Sequence, residues 1–167
     1  SGAGAYKSVI SNNIIKNIYQ PAGSITCIRA HGLGAFDILN NTIGDLNTPN
    51  SIDALPGSAT VFAGIICRYG DSTKVTNISG NTISNIRLQD ANTLGTHNFI
   101  EVGAFLLTNG GTVNIANNLV RNFNDAGRSG ITGISCAYVA GWGGYSYINL
   151  SGNVIESISR PNTSATD

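Results

Sequence analysis

One nine-residue pattern recurs five times in this chain, and a unit that short has few ways to fold. The copies are ISNNIIKNI from Ile10, ILNNTIGDL from Ile38, ISGNTISNI from Ile78, IANNLVRNF from Ile115 and LSGNVIESI from Leu150. Their shared asparagines are Asn13, Asn41, Asn81, Asn118 and Asn153, separated by 28, 40, 37 and 35 residues. Three residues before each stands an aliphatic: Ile10, Ile38, Ile78, Ile115 or Leu150. Two after stands another (Ile15, Ile43, Ile83, Val120, Ile155), and five after a third apolar residue (Ile18, Leu46, Ile86, Phe123, Ile158). No copy is large enough to bury its own apolar face, so the copies must stack.

The residue just before each shared asparagine is only ever Asn or Gly: Asn12, Asn40, Gly80, Asn117, Gly152. That restriction predicts a backbone at positive φ, where Gly meets no Cβ clash and Asn is the best-tolerated alternative. A tight turn between two short strands follows. The shared asparagine bonds the turn backbone, and its copies in adjacent turns stack as a ladder. A third strand fits between turns, in SITCIRA from Ser24, AGIICRYG from Ala63, NFIEVGAFLL from Asn98 and GITGISCAYVA from Gly130. Variable loops are expected over 47–60, 87–96 and 124–129. No segment carries a sustained helical period with caps, which excludes a helical solenoid, and the five-fold motif counts against a β-sandwich.

Composition agrees with a turn-rich β-protein. The chain has 167 residues with 21 Gly and 21 Asn, and nine basic residues balance nine acids. Charged residues are 11% of the chain, against roughly 25% in ordinary domains. Such a surface lacks the basic face a nucleic-acid partner requires. No apolar run reaches the roughly 20 residues of a membrane span. Cys27, Cys67 and Cys136 are odd in number and widely spaced, so they read as buried thiols rather than a disulfide framework. The absence of Met implies a processed product or a piece of something longer.

The repeat and strand spacing resemble the right-handed parallel β-helix of the pectate-lyase-like superfamily, which includes phage tailspikes and secreted polysaccharide-acting proteins. The resemblance implies an all-β solenoid of about five coils over residues 1–159, with 160–167 as a C-terminal tail. It places the Asn/Gly–Asn turn between the second and third strands of each coil, and the Cys-bearing segments in the first. It also implies an extracellular location, on a virion surface or secreted. No capping helix is visible at either end, so neighbouring segments or subunits are expected to cover the open sheet edges.

Polysaccharide hydrolysis usually needs two carboxylates. Glu101, between Ile100 and Val102, should point out of the core on the strand face that carries clefts in such folds. The alternative is an ion pair with Arg68, one coil away. Asp90 and Asp125 open neighbouring loops and are candidates for its catalytic partner, or else turn formers. Arg68 is the candidate for holding an anionic sugar. Trp142, with Tyr138 and Tyr145, lies in the glycine-rich AYVAGWGGYSY and suits stacking on sugar rings. The alternative is packing against a loop or a subunit. His31 and His97 are isolated and read as solvated loop residues. No metal motif, cofactor or nucleophile elbow is expected.

The first expectation is therefore a β-helical segment that binds a bacterial surface polysaccharide and, if it is an enzyme, depolymerises it as a hydrolase or lyase. The second is a structural or adhesive shaft that assembles as a homotrimer or continues into further segments of a longer chain. A free-standing lyase or epimerase is the third.

Overall fold

A computed structural model describes residues 7–21, 23–32, 34–55, 61–68, 74–89, 95–104, 111–127, 129–138 and 147–160. The chain is an all-β parallel solenoid. The first coil runs through β1 (Lys7–Ser11), β2 (Ile14–Ile15), β3 (Ile18–Gln20) and β4 (Ile25–His31). The second runs through β5 (Ala35–Leu39), β6 (Thr42–Ile43), β7 (Ile52–Ala54) and β8 (Phe62–Arg68). The third uses β9 (Val75–Ser79), β10 (Thr82–Leu88) and β11 (Thr96–Ala104), and the fourth β12 (Thr112–Ala116), β13 (Leu119–Asp125) and β14 (Gly130–Tyr138). A fifth begins with β15 (Tyr147–Ser151) and β16 (Val154–Ser159). The expected five coils thus become four full circuits and two strands of another among the described residues.

Among the described residues every strand pairing is parallel and joins neighbouring coils, giving three sheets. The first sheet stacks β1-β5-β9-β12-β15, and the third stacks β14-β11-β8-β4. The second runs β16-β13-β10-β6-β2, with β3 and β7 completing its outer half. Register follows the repeat: Ile10, Ile38, Ile78, Ile115 and Leu150 lie one above another, as do Ile15, Ile43, Ile83, Val120 and Ile155. Aligned aliphatics from three sheets meet in one interior, where parallel strands are normally buried. Phe62, Phe99 and Phe123 cluster within it, Phe99 and Phe123 edge to face with centroids 4.8 Å apart.

The turn has the predicted conformation. Asn12, Asn40 and Asn117 sit at φ between 54° and 57°, and Gly80 and Gly152 at 67° and 61°. Packing explains why Asn and Gly share the position: the Asn40 carboxamide fills the space a Cβ on Gly80 would need, and Asn117 does the same above Gly152. The shared asparagines form the ladder. Each Nδ2 donates to Oδ1 of the next coil, Asn13 to Asn41, Asn41 to Asn81, Asn81 to Asn118 and Asn118 to Asn153, all at 2.9 Å. Each backbone N–H donates to that same oxygen. From Asn41 onward, each Nδ2 also donates to a carbonyl of the preceding coil, at Ile10, Ile38, Ile78 and Ile115. The carboxamides of the inner coils are therefore fully bonded although buried.

A second column of positive φ was not predicted. Asn17, Asn50, Asn85, Asn122 and Ser157 adopt φ of 53–58° and bend the second sheet in every coil. In the second coil this bend comes nine residues after the ladder asparagine rather than four, because the chain detours after Gly44. Leu46, expected to point inward, is consequently 41% exposed, and Ile52 takes the fully buried place. The expected loop 47–60 contains β7, and β10 and β13 run on to Leu88 and Asp125, where loops were expected. The thiols also differ from expectation: Cys67 is buried, Cys27 half-buried and Cys136 exposed.

Candidate functional site

The outer face of the third sheet holds the expected Arg68–Glu101 pair. Ile100 and Val102 point inward and Glu101 outward, as strand alternation requires. Glu101 pairs in register with Ile66 and Ser135, and Arg68 with Gly103 and His31. The Arg68 stem lies 3.0 Å from where a Cβ on Gly103 would stand, so the absent side chain lets the guanidinium cross to Glu101. There Arg68 Nε donates to Glu101 Oε1 at 2.9 Å and Nη2 donates to the same oxygen, while Asn98 Nδ2 donates to Oε2 at 3.0 Å. Both carboxylate oxygens are engaged within the protein. Arg29 and His31 alternate outward on the adjacent strand, so both arginines belong to this face.

Asp125 is not on that face. It ends β13 and is 1% exposed, with Oδ1 accepting the Gly127 N–H at 2.8 Å and Oδ2 lying 3.6 Å from His97 Nε2 and from Arg160 Nη2. His97, expected to be solvated, is fully buried and packs against Phe123, with ring centroids 5.7 Å apart. Its Nδ1 accepts the Phe62 N–H at 3.1 Å, which assigns the proton to Nε2. His97 Nε2 and Asp125 Oδ2 are buried without a hydrogen-bond partner. Asp90, Trp142 and Tyr145 lie outside the described residues, and Tyr138 is the last residue of β14.

Burial holds the His97 pKa below its ordinary 6.5, against the opposing pull of the Asp125 carboxylate. A cationic His97 would also turn an N–H toward the Phe62 N–H. Because the fold prefers the neutral ring, the unfolded chain takes up the proton first as pH falls. His97 therefore contributes stability that is present above pH 6.5 and lost below it. Urea midpoints are expected to drop between pH 7 and pH 5, with a slope of at most about 1.4 kcal/mol per pH unit. His97→Gln, which keeps an acceptor for Phe62 but does not titrate, should remove that slope; an unchanged slope would refute the assignment.

Three further acids are also engaged. Asp37 meets Lys7 at 2.6 Å, Asp45 meets Lys16 at 3.0 Å, and Asp53 accepts from Arg87 Nε at 3.0 Å and Gln89 at 2.8 Å. The Arg87 guanidinium holds the Asp53 carboxyl below the usual carboxylate range. Of the six acids among the described residues, only Glu156 lacks a cation within 4 Å. Among these residues no three His, Cys, Asp or Glu side chains converge as metal ligands. Burial pushes the Cys27 and Cys67 thiols up to about 12, which leaves neither a thiolate near neutral pH.

Two polar surfaces went unrecognised in the sequence. On the first sheet Asp37, Asn77, Asn114 and Asn149 form an outward column: Asn149 donates to Asn114 and Asn114 to Asn77 at 2.9 Å, and Asn77 to Asp37 at 2.7 Å. On the second sheet a groove of about 380 Å³ follows the bend, lined by Asn50, Asn85, Asn122, Asn124, Ser157 and Ser159 among others. Both were legible in principle, since an asparagine stands four residues before the ladder position in three coils and four after it in three. In comparison with known proteins, no family model, no curated protein and no solved structure matches the chain.

Proposed function

We propose that this β-solenoid is a non-catalytic adhesive segment that binds a neutral polysaccharide through its stacked carboxamides, in the manner of shafts in tailspike-like or secreted pectate-lyase-like proteins. The observation that carries this reading is the state of the acids. Glu101 is held by Arg68 and Asn98, and Asp125 is enclosed, so neither offers a carboxylate to a glycosidic bond. The outward rows are mostly amides and hydroxyls, half-buried at Asn77 and Asn114 and exposed at Asn149, Asn50, Asn122 and Ser157, at the rung spacing of about 4.8 Å. Uncharged donors and acceptors of this kind suit sugar hydroxyls.

The test is a panel of bacterial capsular polysaccharides and lipopolysaccharides, with binding and chain length followed together. One glycan should be retained without shortening, and Asn114→Ala with Asn149→Ala should weaken retention while Glu101→Gln does not. A depolymerase is the second reading, favoured by the Arg68–Glu101–Asn98 cluster on the outer third sheet. Shortening of a glycan that disappears in Glu101→Gln would establish it and overturn the first.

A further inference from the structure

The outer face of the second sheet carries two columns that the fold keeps in line. Asn50, Asn85, Asn122 and Ser157 take the same positive φ at the bend, one in each coil from the second to the fifth. Beside them Tyr19, Asp53, Arg87, Asn124 and Ser159 lie in register on successive strands. These point outward, alternating with the inward Ile18, Ile52, Ile86, Phe123 and Ile158. The groove of about 380 Å³ joins the columns, since Asn124 and Ser159 line it together with the bend residues, over Phe123 and Ile158. It crosses four coils, so it belongs to the flank of the solenoid and to neither end.

The chemistry of this flank is uncharged, fixed in place and capped by an aromatic ring. Arg87 Nε donates to Asp53 Oδ1 at 3.0 Å and Gln89 Nε2 to the same oxygen at 2.8 Å, a planar cluster without net charge. Asn122 Nδ2 donates to Asn85 Oδ1 at 3.1 Å, and Asn85 Nδ2 donates to the Asp45 carbonyl. These bonds hold the carboxamides before any ligand arrives, which lowers the ordering cost of binding. Asn122 and Asn124 remain exposed, with hydrogen-bonding capacity to spare. Tyr19, 64% exposed at the head of its column, offers an apolar face with a polar tip. Polar groups beside such a ring suit the hydroxyls and the apolar face of a pyranose.

We infer that this flank is a subsite for a neutral, unbranched glycan of β-1,4-linked hexopyranoses, laid along the solenoid axis with one sugar per coil and a terminal sugar stacked on Tyr19. Equatorial linkage keeps such a chain straight, and each sugar advances it by about the height of one coil, roughly 4.8 Å. An α-1,4-linked chain curls away from a straight groove. An extended peptide docks on sheet edges, whereas the strands of coils two to four run across this groove with both edges paired. The inference rests on the polysaccharide reading above and narrows it to a linkage and a face.

Titration calorimetry of the full chain with cellohexaose and chitohexaose tests it, with maltohexaose alongside. One of the β-1,4-linked hexasaccharides should bind, and maltohexaose should bind about tenfold more weakly or not at all. Along the matching series, affinity should rise up to the pentasaccharide and then level, because five residues from Tyr19 to Ser159 make up the column. Tyr19→Ala should weaken binding about tenfold and Tyr19→Phe by no more than about twofold, since the ring stacks with or without its hydroxyl. Tyr19 and Asn124 are exposed, so Tyr19→Ala and Asn124→Ala should leave the circular dichroism unchanged. Asn124→Ala should weaken binding about fivefold through a lost hydrogen bond. Amide NMR signals of Asp53, Arg87, Asn122 and Asn124 should shift on adding the hexasaccharide. Binding of neither β-1,4-linked hexasaccharide, equal binding of maltohexaose, or shifts at Asn77 and Asn114 in place of these would overturn the inference. Any of those results with a polysaccharide still retained in the panel sinks this inference alone, whereas a panel with no retention sinks the reading beneath it.

Discussion

Gly44→Ala should destabilise the protein by roughly 4–5 kcal/mol, in the exceptional class for a single methyl group. Gly44 sits at φ +83°, between the first and third coils. Its N–H donates to the Ile15 carbonyl at 2.7 Å on one side. On the other side a Cβ would overlap the Ser84 carbonyl oxygen and approach its carbon to 2.9 Å. Both neighbours are backbone, so neither can swing away as a side chain would. Relief requires parting the coils, and a loss of that size removes much of a typical stability of about 5–15 kcal/mol. Gly23→Ala is the control: its φ is +90°, but the nearest atom is the Gln20 amide nitrogen at 3.5 Å. There only the backbone term of about 1–2 kcal/mol applies. Urea denaturation of the two variants decides the matter, and equal losses would show that the clash is relieved cheaply.

Asn81→Ala should cost roughly 3–5 kcal/mol, while Asn13→Ala should cost about 1 kcal/mol or less. The two differ only in where they stand in the ladder. Asn81 Oδ1 accepts from the Asn41 N–H and Nδ2, and its own Nδ2 donates to Asn118 and to the Ile38 carbonyl. Deleting the carboxamide leaves two donors of Asn41 without an acceptor in an interior that water does not reach, and a buried orphan costs about 1–3 kcal/mol. Asn13 lies at the open end and is exposed, so solvent can replace what its side chain supplied. Thermal midpoints of the pair would show the contrast. Similar shifts would mean that the ladder is not the main bond between the coils.

The stacking was legible because the constraint is local and repeats. An Asn-or-Gly position needs only the Ramachandran map to be read as a positive-φ turn, and five aligned copies identify the interior. The detour after Gly44 was not legible, because Leu46 falls where the pattern asks for an apolar residue and only the coil-to-coil register shows Ile52 there instead. His97 shows a different failure. An isolated histidine with no spacing motif looks like a loop residue, and its burial depends on Phe123 and the Phe62 amide, 26 and 35 residues away in sequence. The Arg68–Glu101 pair was foreseen as an alternative from strand alternation alone. What alternation could not show is Asn98 on the second oxygen, or the missing Gly103 side chain that lets Arg68 cross.

The ladder separates two quantities that most folds tie together, perimeter and pitch. Successive ladder asparagines are 28, 40, 37 and 35 residues apart in the chain, yet each side-chain bond between them is 2.9 Å long. The backbone sets the height of a storey, and the number of residues spent walking round it does not change that height. Additional sequence can therefore enter at a corner, as it does between Gly44 and Asn50, without altering the storeys above or below. For a protein designer this makes the corner after Gly44 the natural place to graft a foreign peptide, displayed at a fixed elevation on a rigid column.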